Sequence, residues 1–257
     1  MTRHIAFEGI GNFRDFGDYV AGERRLKPGL LYRSAHHANA TDADLAALAG
    51  LGLSVIVDLR RPNERERDPS RRWEGFAATV VESDAGHQAT DEWHAFLAAS
   101  DLSESSFRDY LTTYYRHAPT VPRHVELFSR YFRALAESEG PVLVHCAAGK
   151  DRTGVICALT HHLAGVHEDD IVADYLLTND PVRMAERMPL VLQMIRETTG
   201  RTATEAAARV AMGVDAAYLA EAFAAMRREF GSVDGYLEAA LGLDAALRAR
   251  IHERLLA

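Results

Sequence analysis

The chain has 257 residues, of which 47% are hydrophobic and 26% are charged, a balance that allows a full globular core. Its net charge of −8 argues against general nucleic-acid binding, and no run of about 18 apolar residues indicates a transmembrane segment. The first residues lack the apolar core of a signal peptide, and two cysteines allow one disulfide at most. We therefore expect a cytoplasmic protein, with export by a route that needs no cleaved signal left open.

The first part of the chain contains two extended segments. Residues 9–17 and 30–34 flank a turn near residues 21–23, which predicts a hairpin or a pair of edge strands. Polar residues interrupt these apolar segments, namely Asn12, Arg14, Asp15 and Arg33. We interpret them first as an internal arginine–aspartate network that pins the hairpin, and second as direct substrate contacts.

Strands and helices then alternate up to about residue 165. Thr41 is placed to cap a helix whose apolar side carries Leu45, Leu48 and Leu51. The further predicted elements are strands at 53–60 and near 77–81, an aromatic-rich helical segment near 91–117, a helix with apolar residues from 121 to 135, and a strand at 141–144. This order predicts an α/β fold with a central, mostly parallel sheet flanked by helices.

No strand pattern remains after about residue 165. Helices are predicted at 169–179, 182–198, 215–230, 233–241 and 244–256. We interpret residues 1–257 as one domain, with an α/β core at 1–165 and a helical part at about 166–257. Ordinary core packing and a helical lid over a pocket are both open interpretations of the helical part.

The most informative stretch is residues 145–154, which read His-Cys-Ala-Ala-Gly-Lys-Asp-Arg-Thr-Gly. A strand precedes it and a helix follows it, an arrangement that binds anions because loop amides and the helix dipole point the same way. Cys146 offers a sulfur nucleophile, and Arg152 offers a guanidinium that clasps two phosphate oxygens. The cysteine–arginine spacing alone is a weak signal, whereas the whole string is specific. Cys157, in the following helix, is interpreted as a small core residue.

This loop predicts covalent chemistry on a phosphate ester. The thiolate of Cys146 attacks phosphorus and forms a phosphocysteine, which water then hydrolyses. The phosphate, or another oxyanion, is held by backbone N–H groups and side chains of the loop, namely Ala147, Ala148, Gly149, Lys150 and Arg152. Thr153 is placed to donate its hydroxyl to the sulfur, while Gly149 and Gly154 permit close backbone approach. None of these steps calls for a metal or another cofactor, and no histidine spacing matches a metal site.

The string resembles the signature of cysteine-dependent tyrosine and dual-specificity phosphatases. It is most similar to the bacterial tyrosine/serine phosphatase family, with further similarity at residues 12–15, 31–35, 57–60 and 231–236. The resemblance implies a phosphatase domain with Cys146 as the catalytic cysteine, Arg152 as the phosphate-binding arginine and a helical lid. It also implies a phosphorylated protein or a phosphoinositide as substrate.

The leaving oxygen needs a proton, and three aspartates are candidates for supplying it. Asp151 lies in the loop, where the resemblance points, and is our first choice. Asp58 lies at the end of the predicted strand 53–60, Asp84 follows the predicted strand near 77–81, and both stay open. Since ligands bind at the carboxyl ends of parallel strands, we expect Asp58, Arg60 and Asp84 on the same edge as Cys146.

Lys150 is one of two lysines in a chain that otherwise uses arginine. A second cation beside the phosphate suits multiply phosphorylated or lipid-headgroup substrates, and Arg60, Arg61 and Arg65 are predicted to extend a basic rim. The leading hypothesis is hydrolysis of phosphotyrosine, and also phosphoserine and phosphothreonine, esters. The alternatives are a phosphoinositide phosphatase, a sulfurtransferase and a catalytically silent phosphate-binding module.

Overall fold

The computed structural model describes residues 3–85 and 92–257. Within them the strands are β1 (Arg14–Asp15), β2 (Val20–Ala21), β3 (Arg24–Arg25), β4 (Leu31–Ser34), β5 (Val55–Asp58), β6 (Thr79–Val81) and β7 (Val142–His145). Five of them form one sheet in the order β1–β4–β7–β5–β6, while β2 and β3 form a separate hairpin. β1 runs antiparallel to β4, and all other neighbours in the sheet are parallel. The predicted α/β architecture with a mostly parallel central sheet is confirmed.

The helices cover both faces of this sheet. They are α1 (Asp42–Gly50), α2 (Pro62–Arg67), α3 (Glu92–Ala99), α4 (Glu104–His117), α5 (Pro122–Glu137), α6 (Asp151–Ala164), α7 (Glu168–Leu176), α8 (Pro181–Thr199), α9 (Glu205–Met212), α10 (Ala216–Phe230), α11 (Val233–Ala239) and α12 (Ala245–Leu255). Apolar residues of α1 pack in the core on one face of the sheet, and those of α5 and α6 pack in the core on the other.

Alternate residues of the central strands point into different cores. Val55 and Val57 of β5 pack in the larger core with α5 and α6, whereas Ile56 packs in the smaller core with α1. This follows from the two-residue repeat of a strand. Because both faces are covered, the apolar runs of β5 and β7 are buried throughout.

The segment near 91–117 is helical, but it forms two helices rather than one continuous helix. α3 ends at Ala99 and α4 begins at Glu104. Between them Leu102 has a φ of 61°, a left-handed conformation that interrupts a helix. Ser103 then caps α4 by accepting a hydrogen bond from the N–H of Ser106. Asp91, the predicted start, lies outside the described residues.

Sequence patterns do not predict α9. Its buried positions are Ala207, Ala208, Ala211 and Met212, and small alanines mark a core face less clearly than large apolar residues do. The one local signal is Thr204, whose side chain accepts from the N–H of Ala207 at the start of the helix. α9 packs between α8 and α4, and α8 also packs against α3. These helices bring the second half of the chain next to the loop after β7.

Two kinds of feature are absent from residues 3–85 and 92–257. No helix there has both the length and the apolar character required to cross a membrane. No group of three or more histidine, cysteine, aspartate or glutamate side chains in the same ranges is arranged to hold a metal ion.

Candidate active site

Cys146 lies at the floor of a cavity of about 610 Å³. β7 ends at His145, α6 begins at Asp151, and the loop between them carries the cysteine, which is 2% exposed. Side chains along one face of α8 also line the cavity, namely Arg183, Arg187, Val191, Met194, Glu197 and Thr198. α8 also buries Met184, Met188 and Ile195 in the protein. The helix therefore serves both core packing and the cavity wall, and its movement as a lid stays a prediction.

Two carbonyl groups of the loop accept hydrogen bonds from neighbouring segments. The carbonyl of Ala147 accepts from the N–H of His36 at 3.2 Å, and that of Gly149 accepts from Asn12 Nδ2 at 2.6 Å and Arg33 Nη2 at 3.0 Å. No cis peptide bond occurs among the described residues, so the N–H that follows each carbonyl points the opposite way. The N–H groups of Ala148 and Lys150 therefore point away from these partners, beside the N-terminus of α6, where an oxyanion is favoured.

Two glycines allow this packing. Gly149 has a φ of 65°, and a Cβ built on it would lie 2.4 Å from the carbonyl oxygen of Ser34. A Cβ on Gly154 would lie 2.8 Å from the ring of Tyr175. Both contacts are too short for any other residue, so glycine is needed at each position for the loop and α6 to pack as they do.

The Arg152 guanidinium is held by a second residue that sequence reasoning missed. Its Nη1 and Nη2 donate to the two carboxylate oxygens of Glu64 at 2.6 and 2.7 Å, and Nη1 also donates to the carbonyl of Leu59 at 3.0 Å. Burial opposes ionisation of Glu64, but the guanidinium outweighs it and lowers the pKa of the carboxyl to about 2. The bidentate pair therefore orients Arg152 beside the cavity across the neutral pH range. The sequence hint to Glu64 was its capping position, because its carboxylate also accepts a hydrogen bond from the N–H of Arg61 at the start of α2.

The three candidate acids occupy different environments. Asp58 is 1% exposed, with Oδ2 2.7 Å from Arg60 Nη2 and 3.7 Å from His145 Nε2. Burial raises the pKa of Asp58, but His145 and Arg60 lower it by more, so the net shift is downward. Asp84 is exposed and pairs with Arg65. Both lie at the same edge of the sheet as Cys146, as expected, because Asp58 ends β5 opposite His145 and Asp84 follows β6. Neither lines the cavity, and each pairs with an arginine outside the cavity lining.

Asp151 does line the cavity, and Tyr115 holds its carboxylate. Tyr115 Oη donates to Asp151 Oδ1 at 2.9 Å, and Tyr175 Oη donates to Tyr115 Oη at 2.7 Å. Burial, and then the nearby carboxylate, raise the pKa of Tyr115 well above its ordinary value, so its hydroxyl keeps its proton. Sequence reasoning missed Tyr115, and the only hint was the aromatic content of α4.

Lys150 connects the loop to α9. Its Nζ donates to the carbonyl of Ala211 at 2.6 Å and lies 3.7 Å from Asp151 Oδ1. Burial lowers the pKa of this lysine. Lys150 thus lies in the cavity lining and ties the loop to the helical half of the chain, while its contact with a phosphate stays a prediction.

The predicted basic rim is mostly wrong. Arg61 lines the cavity and pairs with Glu92 at 2.6 Å. Arg60 is buried with its aspartate partner beside His145, and Arg65 points at the acidic segment after β6. The sequence of charged residues does not reveal this difference, because the side chains of the three arginines contact different parts of the protein.

Two further loop predictions have different outcomes. Thr153 Oγ1 is buried and has no hydrogen-bond partner among the described residues, so its donation to the sulfur of Cys146 stays a prediction. Cys157 is fully buried in α6. Burial raises the pKa of its thiol to about 12, which fits the predicted role as a core residue.

A buried ion network supports the loop from behind. Arg14 Nε lies 3.3 Å from Asp174 Oδ1, and Arg33 Nη1 lies 3.1 Å from Asp174 Oδ2, with all three side chains at most 1% exposed. The predicted arginine–aspartate network thus exists, but its acid comes from α7. Asp15 instead accepts from the N–H groups of Gly17 and Gly29. Two arginines against one carboxylate leave positive charge behind a loop suited to anions.

Replacing Asp174 by asparagine should lower the free energy of unfolding by about 3–5 kcal/mol at pH 7, because two buried guanidinium groups lose their counterion. Burial opposes ionisation, yet the arginines lower the pKa of Asp174 to about 2. A folded-state pKa below the unfolded one stabilises the protein above about pH 4, and this contribution is lost as the pH falls through about 2. Urea unfolding at several pH values measures it. Asp169→Asn, at an exposed position of the same helix, is the control, and equal stability of both variants would contradict the assignment.

Comparison with known proteins agrees with the site. Residues 5–257 match the tyrosine phosphatase family. The chain is 36% identical to a putative tyrosine-protein phosphatase of Cupriavidus necator, over 95% of this chain and 86% of that protein. It is 34% identical to the triple specificity protein phosphatase PtpB of Mycobacterium tuberculosis, over 96% and 97% of the two chains.

Among solved structures, that of P. aeruginosa TpbA covers 62% of this chain and 78% of its own, with 19% identity and a TM-score of 0.32. The family match spans nearly the whole sequence, including the loop, Glu64 and the helices that line the cavity. The chain therefore belongs to the tyrosine phosphatase family and is a protein-tyrosine phosphatase.

Proposed function

We propose that the chain hydrolyses phosphotyrosine esters through a covalent phosphocysteine on Cys146. The observation that carries this proposal is the combined geometry of the loop. Cys146 lines the cavity, the N–H groups of Ala148 and Lys150 point away from the segments that hold the preceding carbonyls, and Arg152 is fixed by Glu64 in the same lining. A nucleophile surrounded by donors for three phosphate oxygens is suited to displacement at phosphorus.

In the first step, the thiolate of Cys146 forms a bond to phosphorus while the bond from phosphorus to the tyrosine oxygen breaks. Asp151 gives its proton to that oxygen. In the second step a water molecule attacks phosphorus, Asp151 takes a proton from it, and the sulfur leaves as a thiolate. Arg152 and the loop amides stabilise the charge on the phosphoryl oxygens in both steps.

Asp151 is the proposed acid because it is the only one of the three candidate aspartates that lines the cavity. Asp151→Asn should lower kcat by about 10²–10⁴-fold for an alkyl phosphate, whose leaving group needs the proton most. The loss should shrink as the pKa of the leaving group falls across a series of aryl phosphates. Asp84→Asn is the matched control, since that side chain is exposed and ion-paired elsewhere. A loss that does not vary with the leaving group would remove Asp151 from this role.

The cavity lining favours an aromatic ester. Leu111, Tyr114, Val191 and Met194 provide an apolar wall beside the loop, which suits the ring of a phosphotyrosine. Hydrolysis of phosphoserine and phosphothreonine is part of the proposal, supported by the name of the mycobacterial relative. A phosphoinositide phosphatase is the second candidate, because the lining also holds several cations.

A substrate panel tests the proposal. We expect phosphate release from a phosphotyrosine peptide with a kcat/KM at least about tenfold higher than from phosphoserine peptides or inositol phospholipids. The Cys146→Ser variant gives the background rate of phosphate release. Preferred hydrolysis of the lipids would support the second candidate instead. Release of phosphate from none of these substrates, with Cys146 kept reduced, would contradict both.

A further inference from the structure

Two arginines in the cavity lack the carboxylate partners that the other cations have. The paired cations are Arg152 with Glu64, Arg61 with Glu92, and Lys150 next to Asp151. Arg183 and Arg187 line the same cavity, and within residues 3–85 and 92–257 neither makes an ion pair. Cations beside one another in a partly buried site are costly unless an anion joins them.

The two arginines lie one turn apart on α8, so their side chains share one face of the helix. Arg183 is 8% exposed and donates through Nη1 to the carbonyl of Thr178 at 2.7 Å, while Nη2 lies 3.5 Å from the carbonyl oxygen of the loop residue Ala148. The Nε atoms of both arginines are buried without a hydrogen-bond partner among the described residues. Two guanidinium groups thus line the cavity beside the loop without an anionic partner among the described residues.

The charges around these arginines also favour the binding of an anion. Burial, followed by the charge of Arg187, lowers the pKa of Arg183 to about 10, so both groups stay charged at neutral pH while repelling each other. His36 also lines the cavity, and burial lowers its pKa. Its Nδ1 accepts from the N–H of Ala38, which leaves the proton of the neutral ring on Nε2 as another donor.

We propose that Arg183, Arg187 and His36 form a second anion subsite, which binds an acidic side chain next to the phosphotyrosine of a peptide substrate. The proposal rests on the proposed function. The ligand must place one phosphate over Cys146 and a second negative group a short distance away, against α8. The apolar wall beside the loop fits the ring of a tyrosine better than a polyol, which favours a peptide over an inositol headgroup.

The test compares two phosphotyrosine peptides that differ only by glutamate or glutamine beside the phosphotyrosine. In wild type we expect kcat/KM to be about tenfold higher for the glutamate peptide, as for one charge-assisted contact. Arg187→Gln should bring this ratio close to one, whereas Arg187→Lys, which keeps the charge, should retain part of it. Arg196→Gln, at an exposed position of the same helix outside the cavity lining, should keep the wild-type ratio.

The outcomes separate the subsite from the function. If the glutamate preference is missing in wild type, or is unchanged in Arg187→Gln, the subsite is overturned while the phosphatase function stands. If wild type cleaves neither peptide, the proposed function fails and the subsite fails with it. If Arg187→Gln instead reduces a preference for inositol bisphosphate over inositol monophosphate, the arginines serve a different ligand and the peptide assignment is overturned.

Discussion

Cys146→Ser is expected to reduce kcat on phosphotyrosine by at least about 10⁴-fold while the protein stays folded. A serine hydroxyl is a far weaker acid than a thiol, so the loop amides and Arg152 cannot hold it as an anion at neutral pH. The Cys146 thiol makes no hydrogen bond to the described residues, and the substitution changes the side-chain volume little. Steady-state kinetics with an aryl phosphate and a phosphotyrosine peptide measures the effect.

Cys157→Ala is the matched control for this variant. Cys157 is buried in α6, and its thiol stays protonated because burial raises its pKa to about 12. Removal of the buried sulfur should lower the stability of the protein through lost packing contacts, and kcat should stay within about twofold of wild type. A Cys146→Ser protein that keeps substantial activity would show that another group is the nucleophile.

Arg152→Lys should lower kcat/KM by about 10²–10³-fold, although the charge is preserved. Lysine cannot donate to both oxygens of Glu64 and still present a fixed pair of donors to a phosphate. The structure shows that the guanidinium is already held by Glu64 and by the carbonyl of Leu59. The lost geometry should therefore appear in both kcat and the inhibition constant of a phosphate analogue.

Glu64→Gln tests the orientation of Arg152 separately. The neutral amide keeps the size of the side chain but accepts only one of the two hydrogen bonds, so we expect a smaller loss of about tenfold in kcat. Glu66→Gln, on the same short helix but exposed, is the control. Equal activity of Glu64→Gln and Glu66→Gln would contradict the positioning role.

The catalytic loop and the sheet are predictable because their signals are local. Residues 145–154 are contiguous, and the apolar runs of β5 and β7 are typical of strands buried on both faces. The capping position of Thr41 is likewise contained within four residues and is confirmed by its hydrogen bond from the N–H of Asp44. Such features depend on near neighbours in sequence.

The partners of the loop are less predictable because they come from distant elements. Glu64 meets Arg152 across 88 residues, and Asp174 meets Arg14 across 160. Nothing in the local charge order of residues 60–68 distinguishes Glu64 from Glu66. The different environments of Asp58, Asp84 and Asp151 are likewise visible only in the fold, through their burial and their pairing.

The covalent intermediate is the most direct test of the account. Rapid quenching of the enzyme in acid during turnover of a phosphotyrosine peptide, followed by mass spectrometry of its proteolytic peptides, locates any phosphoryl group. We expect one phosphate on Cys146 in wild type, a larger fraction in a variant that slows the second step, and none in Cys146→Ser. Turnover with no phosphoryl group on Cys146, or with the phosphate on a different residue, would contradict the mechanism.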